Sequence, residues 1–435
     1  EMCIKDRIYR IWRKDFHLER WKIHPSGNRQ AESWDGRKAG RETMRKKAYH
    51  GKWIFTGNRE KPILENFVMM TENARILWVK PAEDAEIEDA EAIDLGDAYV
   101  VPGFIDAHVH LFCGESAYEE CPGRSAAHHV CQGVKNAQEL LKAGVVACRD
   151  LGAYEGYTLG VRDSIEKGEI NGPKIIACGH ALCATGGHGY QISYECDGAD
   201  EVRRQVRRVI KEGADVVKMM VSGGVNSPGP EPGPCEFTEE EIRAGIETAH
   251  ALGRKVAVHT HGNTAVRYCV EAGVDSIEHG VFLTEDIMDK MVKQGTYLVP
   301  TLCAPYYAVT EGLKADPDNP DHAKSKEIIQ IHRDMLKQCA DKGVKIAFGT
   351  DAGSPYNPYD KVPYEMVLMT MAGLSPRQAL DAATSGSAEL LGIADDYGSL
   401  EEGKLATFLC LKENPLEHIA CVVDSKDVYI KGEKL

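Results

Sequence analysis

Two histidines one residue apart, His108 and His110, end an apolar, β-prone stretch that begins at Val100. Because a strand has a side-chain period of two, both imidazoles point to the same side and can bind one cation from a single strand end. A buried strand in which two histidines happen to alternate would show the same spacing. The metal interpretation therefore depends on further ligand types at the ends of other strands.

Such residues occur further along the chain, each at the end of a short apolar run. His259, His279 and Asp351 end the runs that begin at Lys255, Ser276 and Lys345. A single histidine in an apolar strand is more often a packed core residue than a ligand. Five ligand-type residues at the ends of four strands are hard to explain in that way. The sequence therefore predicts one metal site built by all of them.

These strands lie in a region where short apolar runs alternate with amphipathic helices, as in parallel strands joined by right-handed crossovers. Eight strands are predicted, namely the stretch through His110 and the runs 145–148, 174–177, 216–220, 255–259, 276–279, 297–300 and 345–351. Helix starts lie between them, including a capping box at Thr238 and Glu241 and the sequence Ser375-Pro376-Arg377-Gln378. Eight β/α units predict an α/β fold, a (β/α)8 TIM-type barrel over residues 101–395, with its chemistry at the carboxyl ends of the strands.

Short β-type runs also occupy both ends of the chain. They lie at 52–55, 67–70, 74–79 and 92–95 before the barrel and at 406–411 and 427–430 after it. Strands at both termini of a helix-rich middle predict that the two ends meet. We expect residues 48–100 and 396–435 to form one small β-sandwich domain.

The first 47 residues differ in composition and pattern from the rest of the chain. They hold fourteen Lys or Arg against seven Asp or Glu, and their apolar residues show no sustained period. An arm that binds nucleic acid would be basic in this way. A poorly ordered extension, or an artefact of the gene start, is the preferred interpretation of residues 1–47.

Composition excludes several classes of protein. The formal net charge of −15 argues against general binding to nucleic acid or to an anionic membrane. No run approaches the length of a transmembrane helix and no signal peptide is recognised, so we expect a cytoplasmic protein. The fourteen cysteines include no Cys-x-x-Cys pair, which is typical of reduced thiols and not of a disulfide framework.

Lys218 is a charged residue inside the apolar run 216–220. A protonated ammonium has no lone pair, and burying it unpaired is costly. Desolvation lowers the pKa of an amine, and a neutral amine can react with CO2 to give an anionic carbamate whose two oxygens can bridge two cations. An unmodified lysine paired with Asp351 or another carboxylate is the alternative.

A series of motifs resembles the amidohydrolase superfamily, and within it the imidazolonepropionase-related branch of metal-dependent Xaa-Pro dipeptidases and Xaa-Arg or Xaa-Lys carboxypeptidases. The motifs are Pro102–His110 (PGFIDAHVH), Thr185–Gly189 (TGGHG), Val217–Gly224 (VKMMVSGG), Val258–Gly262 (VHTHG), Ser276–Gly280 (SIEHG), Phe348–Gly353 (FGTDAG) and Gly398–Lys404 (GSLEEGK). The resemblance covers residues 48–435.

The resemblance implies a binuclear centre, usually of zinc. The first ion would be held by His108, His110 and Asp351, the second by His259 and His279, and carbamylated Lys218 would bridge them. It also implies that His259 is the ligand and His261 is not, a choice that a period of two leaves open. True imidazolonepropionases look mononuclear and lack the bridging lysine, so Lys218 argues against that activity.

The ligand set implies a mechanism. Two cations that share a water can hold hydroxide near neutral pH and polarise the scissile carbonyl, so a metal-bridging hydroxide would attack an amide C–N bond. Asp351 is suited to accept the proton of this water and pass it to the departing nitrogen. His188, in a Gly-rich loop, is expected to hydrogen-bond the developing oxyanion, with a capping role in the loop as the alternative.

Two further histidines have undecided roles. His261 either contacts the carboxylate of the substrate or packs behind the site. His180, near the end of the third barrel strand, either contacts substrate or supports the local structure. Specificity is expected to lie in the Pro- and Gly-rich loop from Ser222 to Phe237.

Three classes of function remain open. The preferred one is a dipeptidase or carboxypeptidase of Xaa-Pro type, with a small amide or dipeptide as its partner. The second is hydrolysis of a non-peptide or cyclic amide, such as an aryl-amide toxin or an imidazolone-like ring, by the same residues. The third is a non-enzymatic scaffold, which the intact ligand set argues against. No nucleic-acid or membrane partner is expected, and a homo-oligomer is compatible with all three.

Overall fold

Three β-sheets organise the chain, with eight, seven and three strands. They are seen in a computed structural model that describes residues 46–58, 60–87, 89–113, 123–224, 233–318 and 320–435. The predicted basic extension lies outside the described residues, apart from Lys46 and Lys47, which begin the first strand. Among the described residues, no helix is long and apolar enough to cross a membrane.

The strands of the described residues are numbered in chain order. They are β1 Lys46–Phe55, β2 Ile63–Glu72, β3 Arg75–Pro81, β4 Glu91–Asp94, β5 Tyr99–Pro102, β6 Phe104–Val109, β7 Val145–Asp150, β8 Lys174–Ala177, β9 Ala181–Cys183, β10 Ser193–Glu195, β11 Val216–Met220, β12 Lys255–Thr260, β13 Ser276–His279, β14 Tyr297–Val299, β15 Lys345–Ile346, β16 Phe408–Leu411, β17 Asp427–Ile430 and β18 Glu433–Lys434.

The α-helices of the same residues are numbered likewise. They are α1 Ala126–Lys142, α2 Thr158–Glu166, α3 Ala199–Glu212, α4 Glu239–Ala251, α5 Asn263–Glu271, α6 Glu285–Gln294, α7 Cys303–Tyr307, α8 Leu313–Ala315, α9 Pro320–Lys342, α10 Tyr364–Met371, α11 Pro376–Asp381 and α12 Ser387–Leu391. Two π-helical segments, Ala308–Gly312 and Ala382–Gly386, connect α7 to α8 and α11 to α12.

The eight-stranded sheet is built from both ends of the chain. Its order is β18-β17-β16-β5-β1-β2-β3, with β4 paired to β1. The junction between the two ends is the antiparallel pair of β16 and β5, in which Leu409 lies opposite Val101. This pairing agrees with the expectation that the two ends of the chain meet. The strand pairs form a single sheet, so the predicted sandwich of two sheets stays a prediction.

The other two sheets contain all eight strands predicted for the barrel, and every strand pair in them is parallel. Their orders are β6-β7-β8 and β10-β9-β11-β12-β13-β14-β15. Strands β9 and β10 were not predicted, and they lie between the third and fourth predicted strands in the chain. Backbone hydrogen bonds link the sheets and the segments that follow their strands, among them Ala107 N to Phe348 O and Asp215 N to Ala177 O, each 2.8 Å long.

The strand ladders of the described residues do not join into one closed barrel. What they establish is a mixed α/β fold in which eight parallel strands follow one another in the predicted order. Closure of these strands into a (β/α)8 barrel stays a prediction, which the linking hydrogen bonds support.

The largest apolar cluster lies between the parallel strands and the helices. Val217 and Met219 of β11 pack in it with Val202 of α3 and Ile242 of α4. Because side chains alternate along a strand, Lys218 points away from this helix layer. The period of β11 therefore places a lysine on the face of the parallel sheet opposite the helices.

Helix starts match the sequence signals in two places. Thr238 and Glu241 form the predicted capping box of α4, and Ser375 and Gln378 form one at α11. Helical structure continues from α11 to Leu391, but it passes through the π-helical segment Ala382–Gly386. The turn chemistry was thus readable from sequence, and the change in helix type was not.

The stretch that carries His108 and His110 was predicted as one strand and is two. It divides at Gly103, with β5 in the end sheet and β6 in the parallel sheet. A Cβ atom at Gly103 would lie 2.4 Å from Cγ1 and 2.5 Å from Cγ2 of Val146. The crossing from one sheet to the other therefore depends on the missing side chain at Gly103.

We predict that Gly103→Ala destabilises the protein by about 1–3 kcal/mol, the usual cost of overpacking a core. Both methyl groups of Val146 face the new methyl, so rotation of Val146 cannot relieve the contact. The matched control is Gly160→Ala in α2, where no atom lies within 4 Å of a new Cβ and a neutral or slightly stabilising effect is expected. Urea unfolding of both variants is the measurement, and equal midpoints would contradict the explanation.

Candidate metal centre and active site

The predicted ligand residues come together at the carboxyl ends of the parallel strands. Ligand atoms of His108, His110 and Asp351 lie within 4.8 Å of one another. A second group with the same spacing contains His259, His261 and His279. The ring centroids of His108 and His279 are 5.1 Å apart, so the two groups are neighbours.

In the first group, both histidines present Nε2 to the same carboxylate. His108 Nε2 and His110 Nε2 are each 3.4 Å from Asp351 Oδ1. Their Nδ1 atoms face oxygens that only accept, since His108 Nδ1 is 2.8 Å from Glu278 Oε2 and His110 Nδ1 is 3.0 Å from the carbonyl of Gly152. Each ring is therefore assigned the Nδ1–H tautomer, in which Nε2 carries the lone pair that can bind a cation.

In the second group, His279 has the same tautomer. Its Nδ1 is 2.6 Å from the hydroxyl of Thr301, and that hydroxyl donates to the carbonyl of Pro300. The Thr301 oxygen must therefore accept the Nδ1–H of His279. His259 Nε2 is buried and has no hydrogen-bond partner among the described residues. His279 therefore carries its lone pair on Nε2, and His259 has a buried ring nitrogen without a hydrogen-bond partner among the described residues.

His261 lies against both of these residues. Its ring stacks on His279 at a centroid distance of 5.0 Å and meets the His259 ring edge-on at 4.8 Å. Its backbone N–H donates to the Ser222 hydroxyl, and its Nδ1 has no partner among the described side chains. His261 belongs to the second group as His259 does, and the spacing does not separate them. The preference for His259 as the ligand therefore stays a prediction.

Burial favours the neutral form of four of these imidazoles. At His110 burial alone would lower the pKa, but the Asp351 carboxylate raises it above the usual value. Burial lowers the pKa of His108 to about 4, with a further contribution from the Lys218 ammonium. Burial also lowers the pKa of His261 to about 3 and that of His259 and His279 well below the usual value. Neutral imidazole is the form that binds metal ions.

Two of the predicted ligands depend on an unusual backbone conformation. The φ angles of His279 and Asp351 are +69° and +59°, and Thr301 has a φ of +53°. The Ser276 hydroxyl donates to Glu278, so these two side chains lie on the same face of β13. Regular alternation would therefore place the His279 side chain on the opposite face of the strand. The left-handed conformation turns the His279 side chain back to the site, at a cost of about 1–3 kcal/mol.

The side chain of Lys218 is only 1% exposed, and its amine has no hydrogen-bond partner among the described residues. No carboxylate oxygen of these residues lies within 4.0 Å of the amine, so the alternative of a lysine paired with Asp351 is not formed. Burial lowers the pKa of Lys218 to about 8, although Glu278 and Asp351 counteract the effect. A buried amine without a partner is ready for a reaction that would give it one.

His188 is held by its backbone and not by its ring. Its N–H donates to Glu236 Oε2 at 2.8 Å, and its ring lies 4.3 Å from the ring of His259. No hydrogen bond from the described residues reaches the ring, so the capping role is not formed. A Cβ at Gly224 would lie 2.8 Å from His188 Cε1, which shows how closely the next loop approaches.

His180 lies in a different environment. Its ring stacks on Tyr194 at a centroid distance of 4.0 Å, and the guanidinium of Arg208 covers Tyr194 at 3.7 Å. This stack accounts for His180 as a support of the local structure. Part of the predicted specificity loop, residues 225–232, lies outside the described residues.

Sequence reasoning missed two residues that contact the predicted ligands and a third that holds one of these two. Glu278 and Thr301 bind the Nδ1 atoms of His108 and His279, and Arg149 forms an ion pair with Glu278 at 2.8 Å. A signal was present for two of them, because Arg149 and Glu278 are charged residues inside apolar strands, as Lys218 is. Thr301 comes after its strand without any such mark.

Comparisons with known proteins identify the family of the chain. The amidohydrolase family model matches residues 99–435. Ochratoxinase of Aspergillus niger is 30% identical over 371 residues, which cover 77% of this chain and 75% of that protein. Imidazolonepropionase of Symbiobacterium thermophilum is 25% identical over 407 residues, which cover 83% of this chain and 87% of that protein.

A solved structure extends the comparison to the fold. The crystal structure of a Xaa-Pro dipeptidase with bound methionine in the active site has a TM-score of 0.81 and 32% sequence identity, over 90% of this chain and 99% of that one. Together these matches support a hydrolase that acts on carbon–nitrogen bonds. As its motifs predicted, the chain belongs to the amidohydrolase family.

Proposed function

We propose that this chain is a binuclear metal-dependent amidohydrolase that cleaves the amide bond of a dipeptide, with Xaa-Pro dipeptides as the preferred class. The observation that carries the proposal is the pair of adjacent ligand groups with the unpartnered Lys218 amine among them. Family membership supports the reaction class, and the Xaa-Pro dipeptidase structure supports the substrate class.

The residues present fit two divalent cations. His108, His110 and Asp351 would hold the first, and His259 and His279 the second, each histidine through a nitrogen lone pair. The free Nε2 of buried His259 supports this assignment because an orphaned buried acceptor is otherwise costly. Imidazole nitrogens and carboxylate oxygens are the donor set of catalytic zinc sites, so zinc is the proposed metal.

Lys218 would complete the donor set as a carbamate. In this reaction the lone pair of the neutral amine attacks the carbon of CO2. A C–N bond forms as one C=O π bond breaks, its electron pair passes to oxygen, and an N–H proton leaves to solvent. The product is an anion whose two oxygens would be available to the cations. Burial favours this reaction because it raises the neutral fraction of the amine.

When bound, the two cations would lower the pKa of a shared water and polarise a substrate carbonyl. Asp351 would accept the proton of the attacking water and return it to the leaving nitrogen. Burial alone would raise the pKa of Asp351, but His108 and His110 hold it below the usual value, so the carboxylate is free to accept. His188, whose pKa burial lowers to about 4, would donate a hydrogen bond to the developing oxyanion as a neutral imidazole.

A second candidate is hydrolysis of a non-peptide aryl amide. The ochratoxinase of Aspergillus niger, at 30% identity, favours it. The same ligands, base and oxyanion donor would serve either substrate, because the chemistry at the carbonyl is the same. We also propose that the eight parallel strands close into the (β/α)8 barrel, which would direct all of these side chains to one mouth.

We predict that zinc-loaded protein in bicarbonate buffer releases amine from Xaa-Pro dipeptides in a dipeptide library. A chelator should abolish the activity and added zinc should restore it, because the cations supply the nucleophile. Protein with about two cations bound that cleaves aryl amides and no dipeptide would transfer the proposal to the second candidate. Protein that binds no cation would refute both.

We predict that Asp351→Asn retains the fold but lowers kcat by about 10²–10⁴-fold, the range of a lost general acid–base group. The matched control is Asp395→Asn, because Asp395 is exposed and outside the site. Both variants are to be compared by amide hydrolysis at equal metal content. Near-normal turnover by Asp351→Asn would exclude the assigned role.

We predict that metal-free protein regains activity with zinc only when CO2 is present. At a fixed concentration of dissolved CO2, reactivation should accelerate as the pH rises through about 8, because the reactive form of Lys218 is the neutral amine. Carbon-13 NMR with labelled bicarbonate should show a carbamate signal that Lys218→Arg lacks.

The matched control for this signal is Lys255→Arg. Lys255 is also partly buried, but its amine donates to the carbonyls of Glu389 and Leu390 and is already satisfied. A signal that persists in Lys218→Arg would refute the carbamate.

A further inference from the structure

We propose that Glu278, held by Arg149, is a positioning residue that fixes and polarises His108 for the first cation. The inference rests on the proposed binuclear site and assigns a role to two residues outside its ligand set. It is drawn from a hydrogen-bonded chain that runs from the strand interior to His108.

Arg149 fixes the end of this hydrogen-bonded chain that lies farthest from His108. Its Nε donates to the carbonyl of Ala107 at 2.6 Å, and its two terminal nitrogens reach the Ser276 hydroxyl at 3.1 Å and Glu278 Oε1 at 2.8 Å. The side chains of Arg149 and Glu278 are 2% and 0% exposed. All three nitrogens of the guanidinium are engaged, so the group has one orientation.

Glu278 divides its two oxygens between structure and ligand. Oε1 accepts from Arg149 and from the Ser276 hydroxyl, the latter at 2.6 Å. Oε2 faces His108 Nδ1 at 2.8 Å. Because Oε1 is held from two sides, Oε2 has a fixed position. A carboxylate oxygen can only accept, so the Nδ1–H of the His108 ring must be the donor. The carboxylate thereby sets both the tautomer and the plane of the His108 imidazole.

Stability does not explain this arrangement. A buried ion pair gives little net stabilisation relative to apolar side chains of the same size, because both charges lose their hydration. The neighbouring side chains Ala107, Ala147 and Val299 form an apolar cluster that such side chains would extend. The negative charge of Glu278 is better explained by its hydrogen bond to His108.

His108 is treated differently from the other ligand-type histidines. The Nδ1 of His110 meets a backbone carbonyl, and that of His279 meets a hydroxyl. Of these three Nδ1 atoms, the one that faces a carboxylate is that of His108. A negative acceptor on Nδ1–H raises the electron density at Nε2, so the effect is confined to the cation that His108 holds.

The experiment compares Glu278→Gln with wild-type protein in chelator competition with Zn²⁺ and in titration with Co²⁺. We expect affinity for one of two cations to fall by about 10–100-fold, the usual cost of losing such a partner. The other cation should keep its affinity, and the visible bands of the Co²⁺ form should shift. A purely structural residue would not produce a selective loss of this kind.

Glu278→Gln leaves Arg149 without its anion, so the variant can lose stability for that reason alone. The double variant Arg149→Met/Glu278→Gln removes both charges and should recover stability in the metal-free form without recovering the affinity. The stability control is Arg162→Gln, which breaks the half-buried ion pair of Arg162 and Asp215. It should lower the melting temperature with both affinities unchanged.

Unchanged affinity for both cations in folded Glu278→Gln, or in the double variant, would overturn the inference and leave the proposed function standing. An equal loss of both affinities would overturn it as well. Wild-type protein that bound no cation would instead refute the proposed function, and this inference with it.

Discussion

Loss of hydration at the carboxyl ends of the parallel strands is the constraint on which the site depends. Burial there lowers the pKa of the His259 and His261 imidazoles and of the Lys218 amine, and one nitrogen of each has no hydrogen-bond partner among the described residues. Groups in this state have a high free energy unless a cation, or CO2 in the case of Lys218, accepts the lone pair of that nitrogen.

The protein tolerates this constraint because one nitrogen of three imidazole rings at the site has a hydrogen-bond acceptor. A carboxylate, a carbonyl and a hydroxyl accept the Nδ1–H groups of His108, His110 and His279. Backbone strain is concentrated in the same place, at His279, Thr301 and Asp351. The regular strands end where the site begins, and the left-handed backbone angles at these residues orient their side chains.

Much of this was accessible from the sequence. The eight parallel strands, the two capping boxes and the meeting of both chain ends are readable from local patterns of apolar and turn residues. The strand-end positions of His108 and His259 are readable from the same patterns. The strand predicted to end at Asp351 ends instead at Ile346, and Asp351 lies in the segment that follows it. Strands β9 and β10 were missed because three-residue strands carry too little periodicity to stand out.

Other features depend on contacts distant in sequence. The division at Gly103 is set by Val146, and the orientation of His279 by a backbone angle that alternation does not predict. The chain from Arg149 through Glu278 to His108 joins three strands, so spacing along one strand cannot reveal it. A charge within an apolar strand marks such a partner, but not the residue that it contacts.

The crossing at Gly103 has a consequence for how the two ends of the chain can be altered. The backbone passes from a strand paired with the C-terminal β16 to the strand that carries His108 within six residues. A deletion near the C-terminus that removes β16 would leave an unpaired sheet edge directly upstream of that histidine. The end sheet is therefore the anchor of the His108 strand, and engineering of this protein has to treat the two as one unit.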